Sequence, residues 1–216
     1  GRLHMAIECH SCFQWLMPTL ERYRREWPQV ELDFSLGFSF HPLPALYRGD
    51  IDLVVTADPE EDYGGLRFTP LFRYEVQLLV PRAHRLAERP FIEPADLAGE
   101  TLISYPVCRS KLDVFSRFLT PAGIEPAAVR TSELTALIVQ LVASGRGVAA
   151  LPNWAAAEFL QSGSLAALPL GPDGLWSTLY TAAREEDAEL PYMQAFIACA
   201  RATTAATLDG IEPLAA

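Results

Sequence analysis

The chain has 216 residues, half of them hydrophobic, with a net charge of -10 and a pI near 4.8. That composition marks a globular chain and not a disordered one, and it excludes a chain that itself grips a nucleic-acid backbone, because such grips are built from Lys and Arg neutralising phosphates. No apolar run approaches the roughly 20 residues of a membrane span and no charged-then-apolar leader opens the sequence, so a cytoplasmic protein without a membrane partner is expected.

Residues 3–7, LHMAI, read as a short strand covered by helices. A polar knot follows, Glu8, Cys9, His10, Ser11 and Cys12, and runs straight into a helix. Phe13, Leu16, Met17, Leu20 and Tyr23 fall at helical spacing, Glu21, Arg22, Arg24 and Arg25 take the other face, and Trp27-Pro28 stops it. Ser11 stands where the N-cap is expected. A strand end that feeds a helix start is an anion site, since the first-turn amides and the helix dipole both favour a carboxylate or phosphate. Residues 30–36 alternate as a half-exposed strand, 42–48 form a short helix stopped by Gly49, and 51–56 form a buried central strand. With right-handed crossovers this is an α/β parallel sheet. Ligands of such sheets sit beyond the carboxyl ends of the strands, here at residues 8–11, 37–39 and 56–58.

An acidic loop covers residues 58–65, and two extended segments follow at 66–71 and 74–80. After a long polar connection and one helical turn at 95–97, the pattern restarts. A strand is expected at 101–105, then a loop, then a helix at 111–119 capped by Ser110 with Asp113 completing the capping box and Pro121 and Gly123 closing it. A strand near 129–131 leads to Glu133 and a helix whose stripe is Leu134, Leu137, Ile138, Leu141 and Val142. A buried strand at 147–152, a helix capped by Asn153, a strand over 165–170, a turn at 171–174, a strand over 176–183 and a last helix at 190–208 complete the chain, with a frayed tail. Two copies of a strand–helix module imply two α/β lobes with a small-ligand cleft between them, the chain leaving the first lobe near Phe72 and returning near Thr178.

Four cysteines, Cys9, Cys12, Cys108 and Cys199, do not make a secreted disulfide framework in a chain of this size, and three or four free thiols are expected. The CxxC spacing of Cys9 and Cys12 is compatible with a redox pair or half a metal site, but there is no second CxxC or HxxxH, so neither a structural metal nor a required disulfide is expected. There is no GxSxG elbow, Walker loop, GxGxxG between strand and helix, or HExxH, which points away from an enzyme. A thiol-dependent enzyme would need Cys9 or Cys12 as nucleophile with His10 as base, and adjacent residues at a strand end point apart.

The opening strand–loop–helix, residues 43–56 ending in GDIDLVVT, LLVPRAHRLA at 78–87 and GRGVAALP at 145–152 together resemble the effector-binding domain of LysR-type transcriptional regulators. The likeness covers nearly all of residues 1–208, and no single motif in it is diagnostic. AIECHSC at 6–12, WPQVELDF at 27–34 and PAGIEP at 121–126 resemble the branch of that family that activates methionine-biosynthesis genes.

The resemblance implies a two-lobed, periplasmic-binding-protein-like (type 2) fold, with residues 1–73 and 178–216 as one regulatory subdomain and 74–177 as the other. It implies homocysteine as effector, no cofactor and no metal, self-association as a homodimer or tetramer, RNA polymerase as a partner of the full-length protein, and DNA contact only through an N-terminal winged helix-turn-helix that this chain lacks. A solute-binding protein for amino acids on the same fold is the alternative. Family effector contacts carried onto this sequence are Glu8, Cys9, His10, Ser11, Thr56 and Ala57, and Val107 to Ser110 with Arg109 among them. Glu8 suits the ligand's ammonium. The amides beside Ser11, or the guanidinium of Arg109, suit its carboxylate. Phe38, Ser39 and Tyr105 are expected along the cleft wall. Glu133 completes the candidates, although a helix-dipole role suits it as well.

Overall fold

β1 (Arg2–Ile7) is the strand about which the first unit is laid out. The computed structural model describes residues 1–8, 11–35, 41–59 and 63–214. They divide into two units, Gly1–Arg73 with Thr178–Ala216, and Tyr74–Ser177. In the first unit β2 (Glu31–Ser35) and β3 (Leu53–Thr56) flank β1 on either side and run parallel to it, with Ile7 level with Val55. β9 (Leu175–Arg184) closes onto β3 in the antiparallel sense, Val55 against Thr181. β1 and β3 are apolar along most of their length because both faces are covered, as in any strand interior to an α/β sheet.

α1 (Phe13–Glu26) buries Trp15, Leu16, Leu20 and Tyr23 and points Glu21, Arg22, Arg24 and Arg25 outward. Its partner is α5 (Pro191–Thr207), which starts on Pro191, where a missing N–H costs nothing. Tyr23 joins the two: its ring meets Phe196 edge-on at 5.6 Å, and its hydroxyl donates to the Tyr192 carbonyl at 2.9 Å. Burial pushes that phenol up to about 12. α2 (Pro42–Arg48) ends on Gly49, whose φ of 82° closes the helix in the left-handed region. Ala6, Leu43, Leu46, Ile51, Val54 and Ala182 form the core beneath it.

The two extended segments expected at 66–71 and 74–80 are one 16-residue strand, β4 (Leu66–Pro81). Pro70 removes a donor but does not break the strand, and its carbonyl accepts from Arg201 at 2.6 Å. The tail is not frayed at its start. β10 (Glu212–Pro213) pairs antiparallel with β4 at Arg73 and Phe72, and Arg73 bonds Glu212 at 2.5 Å.

In the second unit β5 (Thr101–Ser104) and β6 (Ala128–Thr131) are parallel, while β7 (Ala149–Pro152) and β8 (Leu165–Pro169) run antiparallel to β4. α3 (Thr135–Ala143) packs Ile138, Val139 and Val142 onto Leu79, Ile103 and Leu151. Three sequence expectations change here. The helix at 111–119 is a 3-10 turn over Arg109–Lys111 followed by a π-helix over Val114–Leu119, so Ser110 caps nothing and no capping box forms with Asp113. Leu134 and Leu137, placed on the buried stripe of α3, are 66% and 49% exposed, since Val139 takes the inward position instead. Asn153 lies in a turn, and α4 (Ala157–Gln161) begins only after Ala156.

Candidate functional site

The parallel register of β1 with β3 decides the centre of the site. With Ile7 level with Val55, the next residues, Glu8 and Thr56, leave the two strands at the same edge, and the Glu8 N–H donates to the Val55 carbonyl at 2.9 Å. The strand order β2, β1, β3 makes the β1/β3 boundary the place where successive crossovers diverge. Open α/β sheets take their ligands at that switch point, beyond the carboxyl ends of the strands.

Thr56 is fully buried, and its hydroxyl has two partners. It donates to Glu8 Oε2 and accepts the Asp58 N–H at 3.0 Å. A hydroxyl has one proton, so accepting from the amide aligns that proton with the carboxylate. Glu8 itself is half-buried. Ala57 is exposed beside this pair. Each residue could be placed at a strand end from sequence, but their contact depends on which strands are neighbours. Asp58 contributes through its backbone and leaves no side-chain signal to read.

Ser11 is buried but is not the N-cap of α1. Cys12 takes that position, and its carbonyl receives the Leu16 N–H at 2.9 Å without any side-chain cap. The first turn of α1 holds no acidic residue, so its amides and dipole present a positive end. Cys12 is fully buried and disulfide-bonded, where the sequence suggests a thiol, whereas Cys108 and Cys199 are free. Cys9, His10, Phe38 and Ser39 lie outside the described residues.

The candidates of the second unit fall into separate settings. The Tyr105 hydroxyl bonds the Thr135 hydroxyl at 2.7 Å, tying the end of β5 to the first turn of α3. Thr135 was missed because its only sequence signal is its place at a helix start. Arg109, expected as the lone cation for a ligand carboxylate, already bonds Glu125 at 2.8 Å and lies 4.7 Å over the Phe115 ring. Glu133 is exposed two residues ahead of α3, outside its first turn. Among the described residues no three His, Cys, Asp or Glu side chains gather to hold a metal, and no helix is long and apolar enough to cross a membrane.

Residues 1–205 match the family model described as the LysR substrate binding domain. The chain is similar to the HTH-type transcriptional regulator MetR of Escherichia coli (strain K12), 48% identical over 202 residues that span 93% of this chain and 62% of that protein. It is also similar to MetR of Haemophilus influenzae, 39% identical over 99% of this chain and 69% of the relative. The regulatory domain of MetR from N. meningitidis, a LysR family regulator, superposes with a TM-score of 0.91 at 41% identity, covering 100% of this chain and 99% of that one. The chain thus spans just under two thirds of the length of the E. coli relative, and these relatives are transcriptional regulators, not enzymes. Its fold is that of the type 2 periplasmic-binding-like class. On the extent of this match, the chain belongs to the LysR substrate-binding-domain family.

Proposed function

We infer that the chain is the effector-sensing part of a MetR-type transcriptional regulator and that its effector is a small amino acid, homocysteine. The observation that carries this reading is the 48% identity to E. coli MetR along nearly the whole chain, joined to a carboxylate held at the β1/β3 switch point. In this reading Glu8 receives the effector's ammonium and the uncapped amides of the first turn of α1 receive its carboxylate. Those contacts are common to all amino acids. Discrimination therefore rests on the side chain, where polarizable sulfur is to be told from a hydroxyl and from a thioether carrying an added methyl. DNA contact and RNA polymerase as a partner belong to the reading of the full-length regulator.

The same reading includes self-association. Phe13 and Met17 on α1, Leu134 at the N-cap of α3 and Leu137 within α3 are large apolar side chains left exposed. Of Val114, Phe115 and Phe118, which the sequence also offers for this purpose, the first two are buried within their own unit and Phe118 is half-buried. A two-fold dimer that sets α1 of one copy on α3 of the other covers both pairs at once.

Melting curves test the effector assignment. A ligand at a hundred times its dissociation constant adds about 2.7 kcal/mol, which for a domain of this size is roughly 5–10 °C. Homocysteine should raise the midpoint more than methionine or homoserine at equal concentration. Equal shifts, or none, would reject the assignment.

A further inference from the structure

We propose that the C-terminal segment 209–214 is a strap that steadies the start of α1 through Phe72 and Trp15, so that lifting it loosens the helix start and weakens effector binding there. The effector arm rests on the reading of the first turn of α1 as the place of the ligand's carboxylate. The coupling between strap and helix does not.

β10 takes the edge of β4 opposite β9 and pairs over two residues, Glu212 with Arg73 and Pro213 with Phe72. Phe72 and Arg73 are the last residues of β4 that belong to the first unit. Both residues of β10 are exposed, and Pro213 brings no N–H to the ladder. The pairing therefore leans on Glu212, through its backbone and through the 2.5 Å bond of its carboxylate to Arg73 Nη1. A strand so short and so little buried sits at the low end of local stability, where opening is easily shifted. It also lies beyond residues 1–205, over which the family model matches.

Phe72 carries the effect inward. Its buried ring meets Trp15 at 6.1 Å with the two planes perpendicular. Trp15 is fully buried in the first turn of α1, and its indole N–H finds no hydrogen-bond acceptor among the described residues. The indole is thus seated by packing, with Phe72 as one wall, and no polar contact restores its place when that wall shifts. The backbone amides of Trp15 and Leu16 both donate to the Cys12 carbonyl, at 3.2 and 2.9 Å, so the seat of this side chain bears on the whole turn. Strand pairing, ring contact and helix bonds form one continuous path within the first unit. Coupling is reciprocal, so a ligand at the helix start should hold the strap down in turn.

Backbone hydrogen exchange of the whole chain, read by NMR, tests this with Glu212→Lys, Glu212→Pro and the charge swap that joins Arg73→Glu to Glu212→Lys. Glu212→Lys sets like charges opposite each other, and Glu212→Pro removes both the carboxylate and the N–H. Each should speed exchange at Arg73 about fivefold or more and at Trp15 and Leu16 about threefold, while Ile103 and Val148 of the second unit keep their rates. The swap should bring Arg73, Trp15 and Leu16 back towards wild-type rates. Titrated with L-homocysteine, Glu212→Lys should bind about threefold more weakly and the swap should recover, and saturation of the wild type should slow exchange at Arg73. Four results would overturn the proposal: no gain at Arg73 in either single variant, a gain there without one at Trp15 and Leu16, an equal gain in the second unit, or a swap that leaves the helix start as fast as in Glu212→Lys. Homocysteine affinity unchanged in Glu212→Lys would overturn it as well. If the wild type does not bind homocysteine, the effector reading falls, and the exchange rates alone decide the strap.

Discussion

Arg184, at the end of β9, places Nη2 3.1 Å from Asp52 Oδ1, joining the last strand of the first unit to the residue that precedes β3. The same guanidinium donates to the carbonyls of Leu46 at 2.9 Å and Ile51 at 2.7 Å and bonds Asp187 at 2.6 Å, while Asp52 Oδ2 accepts the His4 N–H at 2.9 Å. Burial acts to discharge the guanidinium, but the Asp52 and Asp187 carboxylates outweigh it and hold the charge more firmly than in water. One side chain therefore fixes the end of α2, the start of β3 and the edge of β1. The strands whose ends carry Glu8 and Thr56 are aligned by it.

Removing Arg184 should accordingly cost far more than removing a surface cation. Arg184→Met is expected to lower stability by about 3 kcal/mol, because it strands two carboxylates and two carbonyls that are largely buried. Arg48→Ala breaks an ion pair in which both side chains are about half exposed and should change stability by no more than about 0.5 kcal/mol. Urea unfolding of the two variants checks the contrast. Equal midpoints would deny the role given to Arg184.

Much of the first unit was legible because its patterns are local. The alternation of 30–36, the stripe of α1 and the Pro42-to-Gly49 helix each follow from residues near in sequence, and all three elements form within one or two residues of their expected limits. Errors arose where distant chain decides. α3 is apolar almost all round, so its spacing alone does not say which stripe turns inward, and the strands beneath it select Ile138, Val139 and Val142. The π-helix over Val114–Leu119 has the same composition as an α-helix, and its wider hydrogen bonding leaves no residue signature. The end-of-strand positions of Glu8 and Thr56 could be read, but their contact needed the strand order.

The exposed leucines of α3 give a prediction on assembly. Leu137→Asp, and separately Met17→Asp, should leave a 23.8 kDa monomer in sedimentation at concentrations where the unaltered chain associates. Since both positions face solvent within the chain, melting midpoints of the monomers should stay close to that of the unassociated wild type. Association that persists in both variants would place the interface elsewhere.

The two free thiols should differ in reactivity. Cys108 is exposed and its thiol is lowered by hydrogen bonding from Ser110, whose hydroxyl lies 3.1 Å from the sulfur, whereas burial raises Cys199. The thiolate is the nucleophile, so at neutral pH Cys108 should be alkylated first and its rate should level off at lower pH than that of Cys199. Ser110→Ala should slow Cys108 and leave Cys199 unchanged. Peptide mass spectrometry over a time course reads both sites, and faster labelling of Cys199 would contradict the assignment.

Gly147 sets the approach of β7 to β5. It adopts a φ of +153°, and a Cβ there would meet the Thr101 carbonyl at 2.5 Å, while Val148 donates to that carbonyl at 2.9 Å. Gly147→Ala must push the segment before β7 away from β5 and should destabilise the second unit by about 1–3 kcal/mol. Gly123→Ala, also at positive φ but with open space around it, should cost about 1 kcal/mol. Chemical denaturation of the two variants tests the order.

The most direct test of the account as a whole is a calorimetric titration of the chain with L-homocysteine, L-methionine and L-homoserine, repeated with Glu8→Gln. The account predicts one homocysteine per chain, bound about tenfold or more tightly than either analogue, with the affinity falling in Glu8→Gln. No heat with any of the three, equal affinity for all three, or an unchanged affinity in Glu8→Gln would contradict it.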